Sequence, residues 1–170
     1  DVVPLTRAVQ KGWLAGIAGD EGVNDVNAPH KIKSLGIKVE VTKSSSIVDY
    51  NELVEVKTTA SDGAENSVSG TLLGKANDPR IVEVDGNAIE VRPVDLLLVV
   101  RNVDKPGIVG KLGKILGDHG VNIANMSLSR ADCGELALTI CELDEEPDQA
   151  VLGLLEAEPD IREARISRQS

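Results

Sequence analysis

The sequence predicts an α+β chain of two domains, and three observations carry that reading. Between residues 37 and 92, apolar and polar residues alternate at a period of two, broken at Ser61-Asp62-Gly63 and Asp85-Gly86-Asn87. That is the pattern of antiparallel strands joined by tight turns. From residue 94 the apolar patterns run strand, helix, strand, strand, helix, strand, the βαββαβ order of a ferredoxin-like plan. Pro93 stands between the two regions. The domains are therefore expected at 1–93, an α/β domain with a mostly antiparallel sheet, and at 94–170.

Residues 4–18 are predicted to form a helix, with Leu5, Ala8, Val9, Gly12, Trp13, Gly16 and Ile17 on one stripe. Gly12, Gly16 and Gly19 weaken that helix and suggest close packing on a neighbour. Asn27-Ala28-Pro29 starts a second helix, an Asn cap with Pro just inside, which ends near Gly36. Ile37, Val39 and Val41 alternate with Lys38, Glu40 and Thr42 and predict a strand; further strands follow at 53–59, 66–74, 80–84 and 88–92. In the second domain the expected elements are strand 95–102, helix 106–118, strands 121–130 and 135–143, helix 147–157 and strand 161–167. Gly120 is expected to end the first of these helices, and Pro147 to open the second with Asp148 in its first turn. Gly107, Gly110 and Gly113 recur every three residues. Tight helix–sheet packing is the expected reason, with a smooth wall beside a ligand or a symmetry mate as the alternative. Their spacing is not that of a dinucleotide fingerprint.

Composition excludes several classes. Lys+Arg total 18 against 28 Asp+Glu, so the net charge is −10, which argues against nucleic-acid or anionic-membrane partners. Phe is absent and Trp13 and Tyr50 are the only aromatics, so base or sugar stacking is not expected. Cys133 and Cys141 form no CxxC pair and read as inert thiols in a reducing compartment. No apolar run is long enough to cross a membrane. The chain begins at Asp1 without a methionine or a signal-like segment and is expected to be a piece of a longer protein.

Residues 101–122 carry the densest functional signal. Pro106 fits a first helical turn, Asp104 sits where a cap would sit, and Gly107 permits close backbone approach. Helix N–H groups would take a carboxylate, Asp104 an ammonium, and Asn122 would donate and accept. All three are expected close together, as suits a small zwitterion. The plain alternative is that Asp104 and Asn122 only cap a helix and shape a turn.

The run Asp104-Lys105-Pro106-Gly107-Ile108-Val109 through Gly120-Val121-Asn122-Ile123 resembles the opening of an ACT domain, an amino-acid-sensing module. The resemblance implies effector contacts at Asn102, Asp104, Pro106, Gly107, Ile108, Val109, Asn122 and Ile123. Asn102 stands where relatives often place a histidine or an aromatic. Pro4-Leu5-Thr6, Val26-Asn27-Ala28-Pro29, Leu35-Gly36-Ile37, Ser69-Gly70-Thr71-Leu72 and Arg80 through Gly86 together resemble the intervening, or allosteric substrate-binding, domain of long-form D-3-phosphoglycerate dehydrogenases. In that family this domain precedes a C-terminal ACT domain. The resemblance implies a regulatory region that binds L-serine, or another small amino acid, as feedback inhibitor and assembles homo-oligomers through its ACT domains. It also implies an anion, a phosphorylated or carboxylated metabolite, at Arg80 and Arg92. NAD would belong to the parent dehydrogenase and no cofactor to these residues. The implied compartment is the cytoplasm, or the plastid stroma in a photosynthetic eukaryote. The β portion of an iron–sulfur L-serine dehydratase, and an assembly module whose ligand site is dead, are the alternatives.

No catalytic residue and no metal site is expected. His30 and His119 are the only histidines, His119 in a last helical turn where a cation complements the dipole. Asp144-Glu145-Glu146 reads as a solvated loop.

Overall fold

The computed structural model describes residues 2–19, 22–44, 50, 52–130 and 136–168. Compactness divides the chain into one unit over residues 1–49 and another over Tyr50–Gln169.

The first unit holds α1 (Val3–Ala18) and α2 (Ala28–Ser34). Pro4 lies at the start of α1, where its missing N–H costs no intrahelical bond. Leu14, 2% exposed, packs with Ala28 and Ile32 and with Trp13, Val23 and Ile37. The expected stripe is only partly used: Trp13 packs on this cluster and Val9 is half-buried, while Leu5 and Ile17 are exposed. Leu14, next to Trp13 and outside that stripe, is the most buried of the described residues of α1. A Cβ at Gly12 or Gly16 would meet nothing within 4 Å, so these glycines do not mark close packing here. Asn27 precedes α2 but makes no side-chain cap. Its Oδ1 accepts from the Asn24 N–H at 2.9 Å, and Asn24 Oδ1 accepts from the N–H groups of Val26 and Asn27 at 3.0 and 2.9 Å. This reciprocal Asn turn outcompetes the helix for the side chain. Residues 37–42 form no strand, and Val39 and Val41 are exposed. Alternation supplies one apolar edge, but a strand also needs a hydrogen-bonding neighbour, and this unit has none among its described residues.

In the second unit β1 (Leu53–Thr59), β2 (Glu65–Leu73), β3 (Asp78–Val84) and β4 (Asn87–Val91) form an antiparallel meander in that order. Among the described residues, four of the five expected strands are present. Asp85 and Gly86 link β3 to β4 with φ of 47° and 77°, the two positive values of a hairpin turn whose twist matches its strands. Next come β5 (Leu96–Val103), α3 (Ile108–Asp118), β6 (Ile123–Arg130), β7 (Leu136–Leu143), α4 (Gln149–Ala157) and β8 (Ile161–Arg168). Their sheet order is β6-β7-β5-β8, antiparallel at each pairing, so the βαββαβ reading holds.

Each face of this second sheet has its own core. Leu98, Val100, Cys141, Leu143 and Ala164 meet Ile108, Leu112 and Leu116 of α3 and Val151 and Leu155 of α4. On the other face Leu97, Leu138 and Ile140 pack with Ile89 and Val91 of β4, bordered by Ile81, Val84 and Val94. Pro93 thus separates the two sheets along the sequence, while both lie in one compact unit. Polar ties join them: Arg101 pairs with Asp85, and Ser127 Oγ donates to the Glu90 carbonyl at 2.7 Å. Burial pushes the Cys141 thiol up to about 11, so it is an inert core group; Cys133 lies outside the described residues. No described helix is long and apolar enough to cross a membrane.

The end of α3 is as expected and the start of α4 differs. α3 closes with Gly120 at φ 73°, its N–H bonded to the Gly117 carbonyl and Val121 N–H to that of Leu116, a Schellman closure with Val121 and Leu116 both buried. α4 is capped by Asp148, whose Oδ1 accepts from Val151 N–H at 2.9 Å, so Pro147 stands before the helix rather than in its first turn.

Truncating Ile89 to Ala should cost about 2–4 kcal/mol and lower a single unfolding transition of the second unit, followed by thermal melting with far-UV dichroism. Two separate transitions, with the βαββαβ half unmoved, would contradict a joint core.

Candidate functional site

Register decides which expected site residues can meet. β5 and β6 both run antiparallel to β7. Val103 pairs with Leu136 and Arg130 with Ala137, whereas Leu97 pairs with Glu142 and Ile123 with Leu143. Asp104 therefore lies at the sheet end where β6 finishes, and Asn122 at the end where β6 begins. The seven steps along the eight residues of β6, at about 3.3 Å each, separate those ends by roughly 23 Å. The expectation that Asp104, the α3 N-terminus and Asn122 lie together in one chain is thus corrected. α3 carries the chain back to the start of a strand parallel to β5, so the residues before and after the helix sit at opposite ends.

At the Asp104 end the chain turns from β5 into α3. Gly107 is the N-cap, at φ 93°, and no side chain caps the helix. Pro106 precedes the cap and Asp104 makes no capping bond, which corrects both local readings. Gly107 is required by its backbone angle rather than by crowding, because a Cβ there would meet nothing within 4 Å. Lys111 N–H gives the first helical bond, to the Gly107 carbonyl at 3.0 Å. The earlier N–H groups have no acceptor within the helix. Ile108 is buried in the core while Val109 is exposed, so one anchors the turn and the other faces outward. Gly110 and Gly113 likewise face open space: they leave the outer side of α3 smooth and do not pack it on its own sheet.

Asp104, whose side chain is 27% exposed, pairs with Arg130 Nε at 3.1 Å. Arg130 is mostly exposed, so this is a surface pair of small net worth. Asn102 is fully buried. Its Oδ1 accepts from Thr139 Oγ at 2.9 Å and its Nδ2 donates to the Val103 carbonyl at 3.0 Å. Both polar ends are used internally, so Asn102 shapes the turn from beneath and presents nothing outward in this chain.

Behind the turn, Asp160 accepts from Lys105 Nζ at 2.6 Å and from Lys111 Nζ at 3.1 Å, and its carbonyl accepts from Val103 N–H at 2.7 Å. The hydrogen bonds from Lys105 and then Lys111 hold the Asp160 carboxyl below the usual carboxylate range. Lys111 is held above the usual lysine range by Glu158 first and Asp160 second.

At the other end, Asn122 is exposed, with Nδ2 donating to Asp144 Oδ2 at 2.5 Å and its N–H to Glu145 Oε2 at 3.0 Å. Ile123 opens β6 and packs partly on the core. Glu146 pairs with Arg168. The acidic loop is thus held by Asn122 and Arg168, and no group of His, Cys, Asp and Glu suited to a metal occurs among the described residues. His119 Nδ1 bonds the Ile115 carbonyl at 2.8 Å, and His30 is exposed.

Arg80 and Arg92 flank the pair Ile81–Val91 at the open end of the β3–β4 hairpin, as their spacing implied. Arg80 is already engaged, by Glu90 at 3.4 Å, Asp78 at 3.8 Å and the Pro79 carbonyl at 2.8 Å. The Arg92 side chain makes no ion pair among the described residues.

Arg130, Thr139 and Asp160 were missed from sequence. Arg130 meets Asp104 only through the β6–β7–β5 register, and Thr139 reads as one more strand residue. Asp160, after Pro159 and before a strand, carried the mark of a turn acid but nothing that tied it to Lys105.

This sheet order, with α3 and α4 packed on one face, is that of a ferredoxin-like βαββαβ domain. Residues 96–160 match the model of the ACT domain, and residues 1–85 match that of the D-3-phosphoglycerate dehydrogenase intervening domain. The chain belongs to the D-3-phosphoglycerate dehydrogenase intervening-domain family, with an ACT domain following. It is 37% identical over 161 residues to D-3-phosphoglycerate dehydrogenase of Synechocystis, covering 95% of this chain and 28% of that protein. The Mycobacterium leprae enzyme of the same name is 35% identical over 146 residues, 86% of this chain and 28% of that protein. The one from Methanocaldococcus jannaschii is 32% identical over 162 residues, 95% and 30% respectively. The chain thus spans under a third of the length of these curated relatives, matching the regulatory region of such dehydrogenases.

Thr139→Val should destabilise the chain by about 1–3 kcal/mol, because it leaves the Asn102 carbonyl buried without a donor, while Thr139→Ser stays near wild type in urea unfolding. Asp160, with its folded value lowered, contributes stability that is present above the unfolded carboxyl value of about 3.9 and is lost as pH falls through the folded value. The stability gap between wild type and Asp160→Asn should therefore be widest near neutrality and close as pH drops below about 4, read from urea midpoints along a pH series.

Proposed function

We propose that this chain is the feedback-sensing region of a D-3-phosphoglycerate dehydrogenase, binding L-serine between the ACT domains of two copies. The observation that supports it most is the separation of Asp104 from Asn122 along β6. One small amino acid reaches both only if a second copy brings its Asn122 end against the Asp104 end of the first. The smooth outer side of α3 at Gly110 and Gly113 suits such an approach. In this reading Asp104 takes the ammonium and releases Arg130. The carboxylate lies against the first-turn N–H groups of α3, where the helix dipole favours an anion. Asn122 of the second copy, reoriented from Asp144, bridges the ligand.

Occupancy then favours one arrangement of the paired copies over another, and this differential affinity is what would couple serine to the enzyme. The parent protein would oxidise a phosphorylated hydroxy acid with NAD in the cytoplasm, using residues this chain does not contain. The relatives above bear the dehydrogenase name, and the reading as part of an L-serine dehydratase draws no support from them. An anion at Arg80 and Arg92 is the weaker reading, since Arg80 would first have to leave Asp78 and Glu90.

Isothermal titration with L-serine, against D-serine and glycine, is the test. Saturation selective for L-serine, with Asp104→Ala weakening it by on the order of 2–4 kcal/mol, is the expected result. No heat at millimolar L-serine, with an unshifted melting curve, would leave an assembly module with a dead site.

A further inference from the structure

The β5–α3 turn carries the proposed contacts, yet Val103, Lys105 and Lys111 are all held from behind by one residue that faces no ligand. Asp160 is 8% exposed and stands just before β8. Its carbonyl takes the Val103 N–H at 2.7 Å, on the β5 side of the turn. Its Oδ1 takes Lys105 Nζ at 2.6 Å, in the middle of the turn, and its Oδ2 takes Lys111 Nζ at 3.1 Å, one helical turn into α3. One carboxylate thus spans the segment that sets where Asp104, Gly107 and Val109 stand. Lys111 has a second partner in Glu158 at 2.7 Å, whereas Asp160 is the only ion-pair partner of Lys105 among the described residues. The Lys105 link therefore depends on Asp160 alone.

We infer that Asp160 is a positioning residue for the effector site, fixing the β5–α3 turn through Lys105 and, with Glu158, through Lys111. This rests on the serine-sensing reading of that turn. The α4–β8 junction, remote in sequence, thereby becomes part of the site's support. A turn held before the ligand arrives loses less conformational freedom on binding, so loosening it should weaken affinity without removing any ligand contact.

The test uses the whole chain, with Asp160→Asn, which keeps the side-chain shape and the backbone carbonyl, with Lys105→Met, and with the double variant. L-serine affinity should fall about tenfold in each single variant and no further in the double, since both remove the same link. Lys105→Arg should recover most of the loss. Val82→Ala, at a buried position of β3, serves as a control for lost stability and should bind as wild type does. Equal affinity of Asp160→Asn and wild type, additive losses, or a loss matched by Val82→Ala would overturn the inference. Hydrogen exchange of the amides from 103 to 111 in the unliganded chain provides a second readout. Faster exchange confined to that segment in Asp160→Asn supports the role, and unchanged exchange there rejects it. If wild type binds no L-serine, the sensing reading fails, and this exchange measurement still decides whether Asp160 fixes the turn.

Discussion

A sheet buried on both faces is the constraint from which the rest of the second unit follows. β7 alternates between two cores: Leu138 and Ile140 turn to the β1–β4 sheet, and Cys141 and Leu143 turn to the helices. With no water on either side, every polar group on the central strands must find a partner inside. That accounts for the Thr139–Asn102 bond and for the absence of unpartnered buried side-chain polar atoms among the described residues. It also leaves the strand ends as the places where polar chemistry can gather, and Asp104 and Asn122 lie there.

The order of elements was legible because local signals agreed with each other. In residues 94–168, apolar period, Pro and Gly placement and turn chemistry pointed to one plan, and the element bounds moved by a few residues at most. The Asp85-Gly86 turn was equally clear, because a two-residue hairpin loop demands backbone angles that few sequences accept. The reading was weakest in residues 1–44. There the alternation at 37–42 was real but a strand is a relation between two segments, and one segment's pattern cannot supply the other. On α1, spacing picked out Trp13 but not Leu14 beside it, which is the helix's buried centre.

The candidate site was legible as a set of residues and illegible as an arrangement. Asp104, Gly107 and Asn122 stand out by type and spacing, but their separation is fixed by handing the chain across a sheet, which proximity in sequence conceals. Asn102 shows the same limit from another side. Its chemistry suits a ligand, yet its strand position turns it inward, where it satisfies its own neighbours. Arg130 and Asp160 act on the turn from β6 and from the start of β8, so only pairing between strands reveals them.

The division of contacts between the two ends of β6 has a genetic consequence. In the proposed pairing, each pocket draws its acid from one subunit and its carboxamide from the other. Consider a cell that makes two defective alleles, one altered at Asp104 and one at Asn122. Homodimers of either allele have two damaged pockets. The mixed dimer concentrates both lesions in one pocket and leaves the other intact, so co-expression of two insensitive proteins would restore part of the response to serine.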